Sequence, residues 1–151
     1  MKNIIASVVA IAAFSGASAF ATVITPGTPI QPGNQGCELL AEAVTVNLSS
    51  NVYAAYSCNV ANNTIRVATC HKGGSRKQAT IACAAVDVIT EDDGSTTTVY
   101  NDESCDGTPE QTFTSSSLGK GYQASTAGGS VAATNLGAVC DSAGPVDTLL
   151  Q

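Results

Sequence analysis

The chain has 151 residues, six cysteines, one histidine and no tryptophan, and 12% of it is charged, which bounds it at one modest domain and excludes a multidomain enzyme. A formal charge of -6 gives no clustered positive footprint for a polyanion, so nucleic acid is not an expected partner.

Lys2, an apolar run from Ile4 to Phe14 and the small-residue stretch Ala17-Ser18-Ala19-Phe20-Ala21 predict a secretory signal over residues 1–21, cleaved after Ala21 or after Ala19. The run falls short of the roughly 20 residues that a bilayer span needs, so no membrane insertion of the mature chain is expected. The expected location is secreted and extracellular, with the periplasm or a cell surface as alternatives. Leu, Ile, Val and Phe supply only 25 of the 130 residues that follow, near the level at which a core becomes doubtful. Covalent help is therefore expected. Cys37, Cys58, Cys70, Cys83, Cys105 and Cys140 all lie beyond the signal, and an even count in an oxidising compartment predicts three disulfides. Fifteen pairings are open, with Cys83–Cys105 preferred for the reason given below.

In chain order, residues 22–36 carry Pro26, Pro29 and Pro32 at three-residue spacing among glycines, which predicts an extended tail. A disulfide-stabilised domain is expected over residues 37–151. Cys37-Glu38-Leu39-Leu40-Ala41-Glu42-Ala43 is rich in helix formers and predicts a short N-terminal helical turn. After it, apolar and polar residues alternate over 44–48, 52–58, 65–68 and 78–83, with turn-like residues at 59–63 and 71–75. Period two over successive segments predicts an all-β domain, a small antiparallel sheet or sandwich, with residues 52–83 as a three-stranded meander. Asp93-Gly94 predicts a hairpin pairing residues 84–89 with 95–100. That register leaves Cys83 and Cys105 close together at its open end. Further short strands are expected over 111–115 and 130–134.

Few residues carry chemistry. His71 stands alone, so no imidazole-based metal site is expected, and Val67 occupies the place where a haem-attachment motif ending at Cys70-His71 needs a cysteine. Asp102-Glu103-Ser104-Cys105-Asp106-Gly107 resembles the opening of a calcium loop, but Phe113 stands where that loop needs its bidentate glutamate. The expectation is no catalytic residue, no metal and no cofactor.

Charge is segregated along the sequence. Arg66, Lys72, Arg76 and Lys77 fall within twelve residues, and eight of the twelve acids lie between Asp87 and Glu110, Asp92 and Asp93 among them. Oppositely charged patches on one molecule suit a head-to-tail contact between copies. Ala, Gly, Ser and Thr make up 58 of the last 130 residues, and such short side chains lose little entropy at a contact. These features predict a secreted, non-enzymatic structural subunit that self-associates into an assembly or filament, with itself as partner. The alternative is a monomeric secreted binding module, an adhesin or inhibitor, that uses the basic turn 71–77 with Tyr53 or Tyr56 as anchor.

Overall fold

A computed structural model describes residues 21–91 and 93–151. The signal expected over 1–21 thus lies, apart from Ala21, outside the described residues, as does Asp92. In chain order the elements are β1 (Thr22–Val23), β2 (Pro29–Ile30), a 3-10 turn (Gly33–Gln35), β3 (Val44–Thr45), β4 (Val52–Asn59), β5 (Thr64–His71), β6 (Thr80–Ala82), β7 (Ala85–Thr90), β8 (Thr96–Tyr100), β9 (Thr112–Thr114), β10 (Lys120–Ser125), β11 (Val131–Asn135) and α1 (Gly144–Thr148). The fold is all-β, with antiparallel strand pairing and three disulfides, as the alternation and the cysteine count imply.

Five strands form the main sheet in the order β1-β4-β5-β10-β11. Its centre is the β4–β5 hairpin, paired over eight positions from Val52↔His71 to Asn59↔Thr64. Alternation sends Ala55, Ala68 and Cys70 to one face, where Leu136, Cys140, Val146 and Leu150 of the C-terminal segment cover them. It sends Ala54 and Tyr56 to the other face, packed with Ile24 and Cys37 and flanked by Leu39, Leu40, Val46 and Leu48 of the N-terminal segment. Burying each such aliphatic chain contributes about 1.5–3 kcal/mol. Two disulfides fasten the covers, Cys37–Cys58 on one face and Cys70–Cys140 on the other.

Residues 79–115 build a second region from two small sheets, β6 with β9 and β7 with β8. The expected hairpin is β7–β8, its turn closed by Glu91 N–H donating to Ser95 O at 2.8 Å and Gly94 N–H to Glu91 O at 2.9 Å. Gly94 has φ +81°, a left-handed conformation that a side chain would strain. The preferred bridge forms: Cys83–Cys105 closes the open end of this hairpin.

The structure departs from the sequence-based expectations at the start of the domain and at the third strand of the meander. No helix forms over residues 37–43. Cys37 is drawn into its disulfide, its N–H donates to Gln31 O at 2.9 Å, and a single turn follows in which Leu40 N–H donates to Cys37 O at 3.1 Å. Leu39 and Leu40 pack on the sheet instead, a tertiary gain that outweighs a helix propensity of a few tenths of a kcal/mol per residue. The meander stops after two strands: β6 leaves the sheet to pair with β9, and β10 takes the place beside β5, with Tyr122 opposite Thr69. Alternation marks a residue as strand but does not name its neighbour, and closing the longer loop adds only a logarithmic entropy cost. Residues 22–36 are extended in parts, β1 lying against Tyr56 and Ala55, and β2 against β3.

Candidate functional site

The basic turn between β5 and β6 is shaped by its own backbone. Lys72 N–H donates to Asn51 O at 2.8 Å, Gly73 N–H to His71 Nδ1 at 2.9 Å and Gly74 N–H to His71 O at 2.8 Å. A Cβ on Gly74 would stand 2.9 Å from His71 O, so the turn needs glycine there. Lys77 N–H donates to Ser75 Oγ at 3.2 Å, and Lys72, Arg76 and Lys77 are all exposed. The turn therefore holds three cations out in solvent on a fixed loop.

Arg66, grouped with them by sequence, lies elsewhere. Its Nε is 3.4 Å from Asp87 Oδ2, the side chains being 15% and 6% exposed. Its Nη2 donates to Gln123 Oε1 and to Leu149 O, each at 3.1 Å. Burial pushes the Arg66 pKa down and the Asp87 carboxylate pushes it back up, with a net lowering. Ser125 Oγ donates to Asp87 Oδ1 at 3.1 Å. Arg66 is a positioning group inside the fold rather than part of a surface patch.

The fifth cation beyond the signal, Lys120, joins the basic turn from β10. A cleft of about 240 Å³ lies between the turn and the sheet, lined by Val52, His71, Gly74, Ser75, Lys120 and Tyr122. Tyr122 is 52% exposed on the same sheet face as Thr69, while Tyr56, a candidate anchor from the sequence, is 7% exposed and packed among core residues. Tyr53 is partly buried against the C-terminal segment. The aromatic group beside the cations is thus Tyr122, which the sequence reading did not single out. Its signal was there, as Lys120, Tyr122 and Ala124 at period two, but it sits among the Gly, Ser and Thr residues of the loosely patterned half.

The acids divide into two groups. In the β7–β8 turn Glu91 and Asp93 are exposed, and Asp93 Oδ1 accepts Ser95 N–H at 2.9 Å, hydrogen bonding that holds its carboxyl below the usual carboxylate range. In the loop after β8 Glu103 and Glu110 are exposed, whereas the carboxylates of Asp102 and Asp106 serve the chain itself. Asp102 Oδ1 accepts Ser104 N–H at 3.0 Å and Ser104 Oγ–H at 2.7 Å, and its Oδ2 accepts Asn135 Nδ2 at 2.8 Å. Partial burial raises the Asp102 pKa, but these hydrogen bonds outweigh it and the net direction is down. Asp106 Oδ1 accepts Thr108 Oγ1–H at 2.7 Å and Thr108 N–H at 2.9 Å, which lowers its pKa as well. Among the described residues no group of three or more His, Cys, Asp or Glu side chains is placed to hold a metal ion.

Asp87 anchors the β7–β8 hairpin at Arg66 and Ser125, five residues along β5 from His71, or about 16 Å at 3.3 Å per residue. No family model, no curated protein and no solved structure matches the chain.

Proposed function

We propose that this protein is a secreted, non-enzymatic structural subunit that associates with copies of itself into an extracellular assembly or filament. The observation that carries the reading is charge polarity. Lys72, Arg76 and Lys77 stand exposed at one end of β5, while Glu91 and Asp93 stand exposed on a hairpin anchored near its other end. Opposite charges that make no ion pair within one molecule can pair between molecules, and a contact between unlike patches propagates unless its rotation closes a ring. The abundance of short side chains supports the reading, because ordering them costs little. Three disulfides suit an oxidising compartment.

The test is light scattering with negative-stain microscopy on oxidised residues 22–151, at low and at high salt. Ordered assemblies that dissolve as salt rises are the expected result. A monomer at every concentration and salt level overturns the proposal. A second reading, a monomeric binding module that uses turn 71–77, is favoured by the solvent-open cleft beside Tyr122. On that reading, joint replacement of Lys72, Arg76 and Lys77 by alanine abolishes ligand capture without lowering the melting temperature.

A further inference from the structure

We infer that the cleft beside Lys120 and Tyr122 is the receiving half of the contact between copies, and that it takes the acidic turn of the β7–β8 hairpin, with Glu91 and Asp93, from a second copy. This rests on the self-association reading and names its two surfaces.

The cleft has the chemistry for such a guest. Lys120 and His71 line it, the half-exposed Tyr122 ring with Val52 gives it an apolar wall, and Lys72 and Arg76 line a small adjoining cavity that shares His71, Gly74 and Lys120 with it. Among the described residues the one ion pair is Arg66–Asp87, so the rim cations are free to meet a carboxylate from outside. Charge-assisted hydrogen bonds of this kind are shorter and about twice as strong as neutral ones. Size points the same way. At about 240 Å³ the cleft is smaller than the roughly 300–1,000 Å³ pockets that hold drug-sized ligands, and it suits one or two protruding side chains.

The guest is chosen by exposure and shape. Residues 93–98 are exposed, and the hairpin is only two strands wide where it leaves the sheet. Its flanks are Thr96, Thr97 and Thr98, whose short side chains add little ordering cost. In the other acidic loop Asp102 and Asp106 are held by Ser104, Asn135 and Thr108, as Asp93 is by Ser95, but Asp102 is also tied to β11 through Asn135, which makes that loop the poorer guest although Glu103 and Glu110 are exposed there. The hairpin is rooted at Arg66, about 16 Å along β5 from His71 in the cleft wall. Each copy then carries one donor and one acceptor, which makes the contact heterologous.

The experiment is a charge swap. One variant carries Lys72→Glu and Arg76→Glu, and a second carries Glu91→Lys and Asp93→Lys; both are checked for fold by far-UV circular dichroism and for intact disulfides by mass. Each variant alone is expected to raise the concentration needed for assembly at least about tenfold. Mixed in equal amounts, they should assemble as the unaltered protein does, because each then offers the charge the other needs. Tyr122→Ala, which leaves charge untouched, should weaken assembly in the unaltered background. If the unaltered protein assembles and folded single variants assemble equally well, the cleft is not the contact, while the self-association reading stands. Loss of assembly that mixing does not restore also overturns the pairing of these two surfaces. If the unaltered protein never assembles, the functional reading itself falls.

Discussion

In the five-stranded sheet, β4 and β5 turn apolar side chains to both faces, and two separate chain segments bury them under Leu136, Val146 and Leu150 on one side and Ile24 on the other. Residues 79–115 bury only two large apolar chains, Val86 and Phe113, and are organised instead around Asn101, which is 2% exposed. The Asn101 amide donates to Ala82 O at 3.0 Å and Ala133 O at 2.7 Å and accepts Ala84 N–H at 2.8 Å, while its carbonyl accepts Thr134 Oγ1–H at 2.6 Å. One region is held by non-directional burial, the other by directional bonds that tie it to the edge strand β11. The difference bears on function, because the polar region carries the acidic hairpin and the apolar region carries the basic cleft. A sheet packed on both faces fixes a cleft firmly.

The comparison can be broken most severely from the apolar side. Cys70–Cys140 closes a loop of sequence separation 70, and by the chain-entropy relation its replacement by two serines should cost about 4 kcal/mol. Denaturant unfolding should show that loss together with exposure of the C-terminal cover. A loss under about 1 kcal/mol would mean that burial of Val146 and Leu150 alone holds the cover in place.

On the polar side, Asn101→Ala strands two carbonyls and one amide, and should cost about 3 kcal/mol, with amide exchange rising first in β6, β7 and β8. Equal acceleration in β4 and β5 would show that the two regions unfold as one unit. Between the regions, Asp87→Ala leaves the half-buried Arg66 guanidinium without its counter-charge and releases Ser125 Oγ, at a cost of about 2 kcal/mol. The measurement is the same unfolding curve, with loss of hairpin docking read from exchange at Val88 and Ser125.

The smallest effect sharpens the comparison through pH. Asp93, Asp102 and Asp106 are held below the usual carboxylate range by hydrogen bonds to their ionised forms. Their contribution is present above the unfolded value of about 3.9 and is lost as pH falls through the lower folded values. As pH falls below about 4 the amides of Ser95, Ser104 and Thr108 should lose protection while those of β4 and β5 keep theirs. Loss of protection in the main sheet at the same pH would contradict the split.

Much of the strand content was legible in the sequence because alternation is a local consequence of the pleat. The β4 and β5 strands, the β7–β8 hairpin with Asp93-Gly94, and the short strands β9 and β11 follow from it. The β10 strand was not, since Gly121 and Ser125 are buried yet do not read as apolar. A Cβ on Gly121 would stand 2.9 Å from Leu149 Cδ1, so this glycine is there for close packing that no local pattern announces. The helix α1 is not legible for a similar reason: it is five residues long, carries Pro145 in its first turn and holds its place through Val146, with Leu150 just beyond it, in the core.

The candidate site divides in the same way. Lys72, Arg76 and Lys77 stay together because a turn keeps neighbours in sequence close in space. Arg66 separates from them because five residues of β5 carry it to the far end of the strand, where Asp87 and Gln123 take it into the fold. Lys120 and Tyr122 enter only because β10 replaces β6 beside β5. By itself the sequence determined the strands that alternate, the three-disulfide count, the turn chemistry and the charge of each segment, since all of these depend on residues near one another in the chain. Strand order, the covers on each face and the makeup of the cleft were decided by tertiary structure, because period two states which way a side chain points and leaves open what it meets.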